Sequence, residues 1–431
     1  MKIAQLYDIY LKHPQVSTDS RSDLENAIFF ALKGEHFDGN CFAKQALDQG
    51  AAYCIIDDPK AYINKQTIVV ENVLATLQNL ALHHRRQLPI PVIAITGTNG
   101  KTTTKELIHK VLSTTYRTSC TFGNLNNHIG VPLTLLSIPN NAEIAIVEMG
   151  ANHPGEIDFL CKIAEPDFGL ITNIGKAHLE GFGGFEGVLK AKTELYRYLE
   201  KRQGTVFVNG DDDMLFLRTG NVAKIFYGSK HTFSISGSII KSSPFLSVQL
   251  IIKHREYEAH AHLIGNYNLF NILAAACIGN YFKVTATKIT RAIEEYLPDN
   301  MRSQMKQLKS NHIILDAYNA NPSSMNEAIN NFLEMDVPNK IIILGDMLEL
   351  GRWSEEEHEK IVKKLVAHKI KRVYFAGKNF NKVSKPKHYL SFSDSETLRD
   401  FLKENLPKNS WILIKGSRSV KLEKVLEAFS N

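Results

Sequence analysis

The sequence predicts an α/β protein of three domains, with parallel sheets in the second and third. Three observations carry that expectation. An apolar run, Pro91 to Ile95, opens into the glycine loop Gly97-Thr98-Asn99-Gly100-Lys101-Thr102-Thr103 and then into a helical pattern. Short apolar runs, each closed by a glycine or a polar turn, alternate with helical patterns through the rest of the chain. Two proline-bearing polar joints divide the 431 residues into segments 1–89, 90–301 and 302–431, each large enough for a core of its own.

In chain order, the first joint is His83-His84-Arg85-Arg86-Gln87-Leu88-Pro89-Ile90-Pro91, where a helical stretch gives way to a linker. Val92, Ile93 and Ile95 are β-branched and read as a buried strand, and after the loop Leu107, Ile108, Val111 and Leu112 recur at helical spacing. Glycines let a backbone come close to phosphates with its N–H groups turned inward. Lys101 adds a point charge, the helix start adds a partial positive charge, and Thr102 stands where such loops place a Mg²⁺-ligating hydroxyl. The general pattern G-x-x-x-x-G-K-[ST] wants a glycine where this chain has Ile95, so the match is to the shorter Gly97-x-x-Gly100-Lys101-Thr102. An ordinary strand-to-helix turn is the competing reading. Strand, loop, lysine, hydroxyl and helix in this order favour nucleotide phosphates.

Ile144 to Val147, Gly169 to Thr172 and Val206 to Val208 suit buried parallel strands. The second joint is Leu297-Pro298-Asp299-Asn300-Met301-Arg302. Beyond it Ile313 to Leu315, Ile341 to Leu344, Val373 to Phe375 and Trp411 to Ile414 repeat the pattern. Sites in such sheets lie beyond the carboxyl ends of the strands.

Composition excludes several classes. With 44% apolar and 22% charged residues the chain is neither disordered nor fibrous. No apolar run approaches the ~20 residues of a membrane span, and Met1-Lys2-Ile3-Ala4-Gln5 opens no signal-peptide core, so a cytoplasmic location is expected. Cys41, Cys54, Cys120, Cys161 and Cys277 have no C-x-x-C spacing and read as reduced thiols, not a disulfide frame or zinc site. A net charge of +6, not gathered into blocks, fits anionic small substrates and offers no nucleic-acid signature.

Polar residues gather where the runs end. Glu148 follows Ile144 to Val147, placed for a hard cation, with a solvated turn as the plain alternative. His178 lies in a loop after Ile171, where a hydrogen-bonded histidine is the commoner reading. Lys192, in Leu189-Lys190-Ala191-Lys192-Thr193-Glu194-Leu195, reads by itself as a surface lysine on a helix. Asn268 and Asn271 share one face at the start of an Ala-rich helix, where simple capping competes with base or ribose recognition. Asp316-Ala317-Tyr318-Asn319-Ala320-Asn321-Pro322-Ser323-Ser324-Met325, Gly345-Asp346-Met347-Leu348-Glu349-Leu350-Gly351 and Lys415-Gly416-Ser417-Arg418 occupy the same place after three strands, which points to one site.

Together these residues resemble the Mur ligases, ATP-dependent amide-forming enzymes of peptidoglycan precursor synthesis. The distinguishing strings are Phe122-Gly123-Asn124-Leu125-Asn126-Asn127-His128-Ile129-Gly130-Val131-Pro132-Leu133-Thr134, Glu148-Met149-Gly150 with Pro154-Gly155-Glu156-Ile157, and the Asp316 and Gly345 strings. The shortened glycine loop is the normal form in that family. The resemblance implies a small α/β UDP-binding module, a central parallel-sheet ATPase domain and a Rossmann-like C-terminal domain. It also implies a monomer working without nucleic acid or membrane insertion, in cell-wall biogenesis, cell shape and cell division. The implied reaction joins D-alanyl-D-alanine to the terminal carboxylate of UDP-N-acetylmuramoyl-tripeptide through an acyl phosphate.

Residue roles carry over by position. Gly97, Thr98, Asn99, Gly100, Lys101, Thr102 and Thr103 would hold ATP phosphates, with Asn268 and Asn271 on adenine and Arg302 and Asp316 on ribose or phosphate. Lys101, Glu148, His178 and Lys192 would be the catalytic set. Thr102 and Glu148 would bind one Mg²⁺, and Glu148, His178 and a carbamylated Lys192 a second. Substrate contacts would come from Ser20, Arg21, Lys33, Asp38 and Asn40 in the UDP module, from Asn124, Asn126 and Asn127, and from Asn319, Asn321 and Ser324. In that module Asn26-Ala27 replaces a usual Gly-Asp, and Asn40 a common histidine. Two other functions compete: an amide ligase of the same fold adding another amino acid, such as a diamino-acid or folate polyglutamate ligase, and a nucleotide-binding regulator without turnover. The Asn319-Ala320-Asn321-Pro322 string argues against the first, and the presence of Glu148, His178 and Lys192 against the second.

Overall fold

A computed structural model describes residues 1–430. The first segment forms a four-stranded parallel sheet in the order Val16–Ser17, Ile28–Phe30, Tyr53–Ile56, Thr67–Val69. Ile28, Phe29 and Phe30 are all buried, so this middle strand reads as an unbroken apolar run. Helix Val73–Gln87 begins at Asn72, whose side chain accepts from the Ala75 N–H at 2.7 Å, and Pro89 and Pro91 bar its continuation. It packs on helices Gly130–Leu136 and Glu156–Ala164 of the second segment. Its last turn carries Arg85, which donates to the carbonyls of Ala164 and Glu165 and pairs with Asp167 at 2.9 Å. Tyr10 adds a hydroxyl bond of 2.7 Å to the Leu136 carbonyl. The first two segments are therefore stitched by buried polar contacts as well as apolar ones.

The second segment holds a nine-stranded sheet in the order Arg255–His260, Ser247–Ile252, Ile235–Lys241, Ala223–Gly228, Thr205–Asn209, Phe168–Ile171, Val92–Thr96, Ile144–Glu148, Thr118–Cys120. The predicted strands are all present. The last seven run parallel, and the first two turn antiparallel at the edge. The sequence reading did not foresee this edge, although Ser247–Ile252 alternates half-buried and buried residues as a strand with one wet face does. Val92–Thr96 is buried along its whole length, and Ile95 is core. That explains why a glycine is not needed there: the chain is still in the sheet, and the loop begins only at Gly97.

The third segment is a six-stranded sheet in the order Gln304–Leu308, Asn311–Asp316, Trp411–Lys415, Lys340–Gly345, Arg372–Ala376, Leu390–Phe392, parallel except at its first strand. Between the second and third segments the chain passes through residues 297–302. The near end of this joint is tied to helix Lys101–Ser113: Glu106 accepts from the Tyr296 hydroxyl at 2.6 Å and from Asn300 Nδ2 at 3.0 Å. The third domain docks with its strand ends facing the glycine loop. Asn321 Nδ2 donates to Asn99 Oδ1 at 2.8 Å, Lys176 N–H to Ser323 Oγ at 2.8 Å, and the Lys176 amine meets Glu357 at 2.9 Å.

Candidate active site

The loop between Val92–Thr96 and Lys101–Ser113 requires glycine at both ends. Gly97 has φ 138°, and a Cβ there would stand 2.0 Å from Thr172 Oγ1. Gly100 has φ 76° and precedes the helix, with Asn271 Oδ1 2.8 Å from where a Cβ would be. Asn99 is clamped by the neighbouring strand end: its N–H donates to Asn173 Oδ1 at 3.0 Å, and its carbonyl accepts from Thr172 Oγ1 at 2.6 Å. The Lys101 amine donates to the Gly97 and Thr98 carbonyls at 2.7 and 3.0 Å. Burial pushes its pKa down to about 8, the Glu148 charge partly offsetting this and Arg302 adding to it.

Thr96, Thr102 and Glu148 each hold one buried side-chain oxygen without a partner. Thr102 is 4% exposed and its Oγ1 bonds to nothing; Glu148 is 1% exposed, and Oε2 is likewise free. Unpaired buried oxygens are costly unless something else satisfies them. Lys192 overturns its plain reading as a surface residue: it is 2% exposed, donates to the Ala151 carbonyl at 3.3 Å, and lies 5.4 Å from the Phe182 ring centroid. Desolvation, reinforced by the Lys101 charge, drives its pKa well below the ordinary lysine value. His178 adopts φ 49° at the start of a short helix, and its Nδ1 is 2.5 Å from Glu349 Oε2 of the third domain. The close approach of the His178 ring holds the Glu349 carboxyl below its ordinary range, against the opposing effect of burial.

Most of these groups border one cavity of about 450 Å³, a size that suits a nucleotide-scale ligand. Its second-domain wall includes Thr98 to Thr103, Asn124, Asn126, Asn127, Glu148, His178, Asn268 and Asn271. Its third-domain wall includes Asp316, Asn319, Asn321 and Ser324, and Arg302 enters from the joint. Gly97 and Lys192 stand outside the cavity lining.

Several of these residues are engaged internally. Asn268 donates to the Ile264 carbonyl at 2.8 Å and accepts from Asn271 at 2.8 Å, and Asn271 accepts from Thr104 Oγ1 at 3.0 Å. This pair braces the loop helix against helix Asn268–Tyr281. Asn127 Oδ1 accepts from Gly130 N–H at 2.9 Å, at the start of helix Gly130–Leu136. Asn321 and Ser324 form a capping box at the start of helix Pro322–Glu334.

The first-domain residues Ser20, Arg21, Lys33, Asp38 and Asn40 do not line the cavity. Arg21 pairs with Asp19 at 2.9 Å and Lys33 with Asp57 at 3.0 Å, both with the basic side chain accessible. Asn40 differs. It is 4% exposed, donates to Asp38 at 2.7 Å and Asp57 at 3.0 Å, and accepts from the Asp57 N–H at 3.1 Å. Its amide is an internal tie between Asp38 and Asp57.

The sequence reading placed Lys415 in a strand-end cluster but gave it no role. It is 2% exposed and 2.5 Å from Asp316 Oδ2, the two standing opposite each other at the ends of paired parallel strands. A charge directly after the apolar run Trp411 to Ile414 was the available signal. Tyr318 was likewise given no role: its ring centroid lies 3.8 Å from the Arg302 guanidinium carbon, stacking the arginine while Arg302 Nε remains unpartnered.

A glycine loop on a buried strand, facing a second strand-end cluster across a domain joint, defines a nucleotide-dependent ligase of three α/β domains, and the chain belongs to the Mur ligase family. The family's models match in succession: the catalytic-domain model over residues 14–96, the middle domain over 95–279 and the glutamate ligase domain over 301–418. Among individual proteins, the UDP-N-acetylmuramoyl-tripeptide–D-alanyl-D-alanine ligase of Bacillus subtilis (strain 168) is 36% identical, the match covering 99% of this chain and 96% of that protein. The crystal structure of MurF from Acinetobacter baumannii superposes with a TM-score of 0.86 at 30% identity, covering 96% of this chain and 93% of the other. MurF ligase from Thermotoga maritima, solved in complex with ADP, gives a TM-score of 0.85 at 28% identity, with 97% of each chain covered.

Proposed function

We propose that this chain joins D-alanyl-D-alanine to the terminal carboxylate of UDP-N-acetylmuramoyl-tripeptide, with cleavage of ATP to ADP and phosphate. The observation that carries the reading is the facing of two strand-end clusters, one built for phosphates and one from a separate domain, across a single cavity. A ligase needs that arrangement, because a phosphate-activated carboxylate and an amine must meet away from water. The full-length likeness to D-alanyl-D-alanine-adding enzymes supports the choice of substrates over the other amide ligases of this fold.

The reaction divides into two transfers. A carboxylate oxygen of the tripeptide attacks the γ-phosphorus and ADP leaves, giving an acyl phosphate. The dipeptide amine then attacks the acyl carbon, loses a proton, and phosphate departs. Both steps concentrate negative charge, so the protein's task is neutralisation and placement. Lys101 trades its loop carbonyls for β/γ-phosphate oxygens, and Arg302, held flat on Tyr318, approaches from the joint. Asp316 and Lys415 form a fixed ion pair on the third-domain wall, with Asn319 beside them.

Thr102 Oγ1 and Glu148 Oε2, buried and unpaired, fit a hard divalent cation such as Mg²⁺, which when bound would draw charge from the phosphates. Among the described residues no cluster of three His, Cys, Asp or Glu could hold a metal alone. A second ion beside Glu148 and His178 would need a further anionic oxygen. A carbamate on Lys192 would supply it, and the burial that lowers this lysine's pKa favours the neutral amine that adds CO₂. The soluble substrates require no membrane attachment, and no helix among the described residues is long and apolar enough to cross a bilayer.

Phosphate release measured with each substrate omitted in turn tests the reading. It should require ATP, a UDP-muramoyl tripeptide and D-alanyl-D-alanine together, because phosphate leaves only when the amine attacks; tripeptides ending in lysine and in diaminopimelate would be compared directly. Product formation with free amino acids but not with the dipeptide would overturn it.

A further inference from the structure

We propose that Asn126 is a positioning residue that aims the Glu148 carboxylate into the phosphate site, an assignment that rests on the ligase reading above. The two oxygens of Glu148 are treated differently. Oε1 accepts from Asn126 Nδ2 at 2.8 Å, whereas Oε2 has no partner although the residue is 1% exposed. The terminal torsion of a glutamate is broad and two-fold, so one donor fixed on one oxygen decides where the other points.

Asn126 is itself held firmly. Its N–H donates to the Asn124 carbonyl at 2.7 Å, and its own carbonyl accepts from the Gly150 N–H at 2.7 Å. The side-chain amide lies across Gly150, where a Cβ would stand 2.7 Å from Oδ1 and 2.9 Å from Cγ. Glycine is required there for space. Glu148, the amide on it, and the gap that lets the amide reach thus form one device spanning a strand end and the loop beside it. The family resemblance implies a substrate contact for Asn126; positioning makes different predictions.

The test uses Mn²⁺ as probe, with free ion followed by electron paramagnetic resonance, on the full chain with a non-hydrolysable ATP analogue and neither UDP-sugar nor dipeptide. Asn126→Ala should raise the Mn²⁺ dissociation constant by about 10- to 100-fold, the range for losing a group that orients a metal ligand, with metal-free analogue binding unchanged. Gly150→Ala, which keeps the amide but displaces it, should do the same. In turnover both variants should lower kcat with little change in KM for the UDP-sugar peptide. A Mn²⁺ constant within about twofold of native for Asn126→Ala, or a main effect on that KM, would overturn the proposal. Should Asn126→Ala fail to fold, Gly150→Ala decides by the same Mn²⁺ criterion. A native chain that takes up no Mn²⁺ with the analogue would overturn the ligase reading itself, and the proposal with it.

Discussion

At the residue scale, the site is built from groups held in unfavourable states. Lys101→Ala should cut phosphate release by about 10²-fold or more while leaving the melting temperature near native, because the amine bonds only to its own loop. Near-native phosphate release would remove the loop from the mechanism. The lysine also sets a pH dependence. Burial lowers its pKa to about 8 in the free chain, so the ammonium is half formed there and fills as pH falls further, and phosphates favour the charged form. Nucleotide affinity should therefore be greatest below pH 8 and weaken as pH rises through it, which calorimetry at several pH values would check. Lys192→Arg should be as damaging as Lys192→Ala, since a guanidinium cannot carry a carbamate, and formate or acetate should partly restore only the alanine variant. An active arginine variant would sink the carbamate. Lys101 was legible in the sequence because its loop has a fixed spacing. Lys192 was not: in Leu189-Lys190-Ala191-Lys192 neither lysine announces that one is exposed and the other sealed. Burial at that position is decided by elements distant in sequence, which periodicity does not report.

At the scale of elements, the buried central strands of the parallel sheets were legible to within a residue or two because burial on both faces leaves an apolar run, whereas the less buried Thr118–Cys120 and Ala223–Gly228 were not. The antiparallel edge was not, since Arg255–His260 is largely charged and exposed. Site asparagines were legible as a group but not in their roles. Asn268, Asn271, Asn127 and Asn321 all sit at helix starts or braces, where an amide serves backbone and ligand equally well, and only geometry separates the two. Asn321 gives a measurable case. It caps helix Pro322–Glu334 and bonds across the joint to Asn99. Asn321→Ala should cost about 1 kcal/mol in denaturant unfolding, the usual value for a lost cap. Asn321→Ser, which can still cap but is too short to reach Asn99, should recover most of that stability without recovering the crossing bond. A full recovery of dipeptide turnover by serine would place Asn321 in folding alone.

At the scale of the whole molecule, two domains are stitched together and the third is docked by a few polar contacts. Glu357→Gln combined with Asn321→Ala should loosen that docking and raise the radius of gyration in small-angle scattering of the ligand-free chain. Adding the UDP-muramoyl tripeptide, an ATP analogue and Mg²⁺ should compact the native chain, because attack requires reacting atoms ~3–3.5 Å apart. Profiles that do not respond to either change would count against a swinging third domain. The pivot itself is fastened by Glu106 to the helix that begins at Lys101, with Tyr296 and Asn300 as the fastened groups. Hinge substitutions commonly alter kcat and KM together. Glu106→Gln, which weakens the knot without removing its bulk, should therefore move both constants in steady-state turnover, and a change in neither would leave the Glu106 tie without a part in the swing.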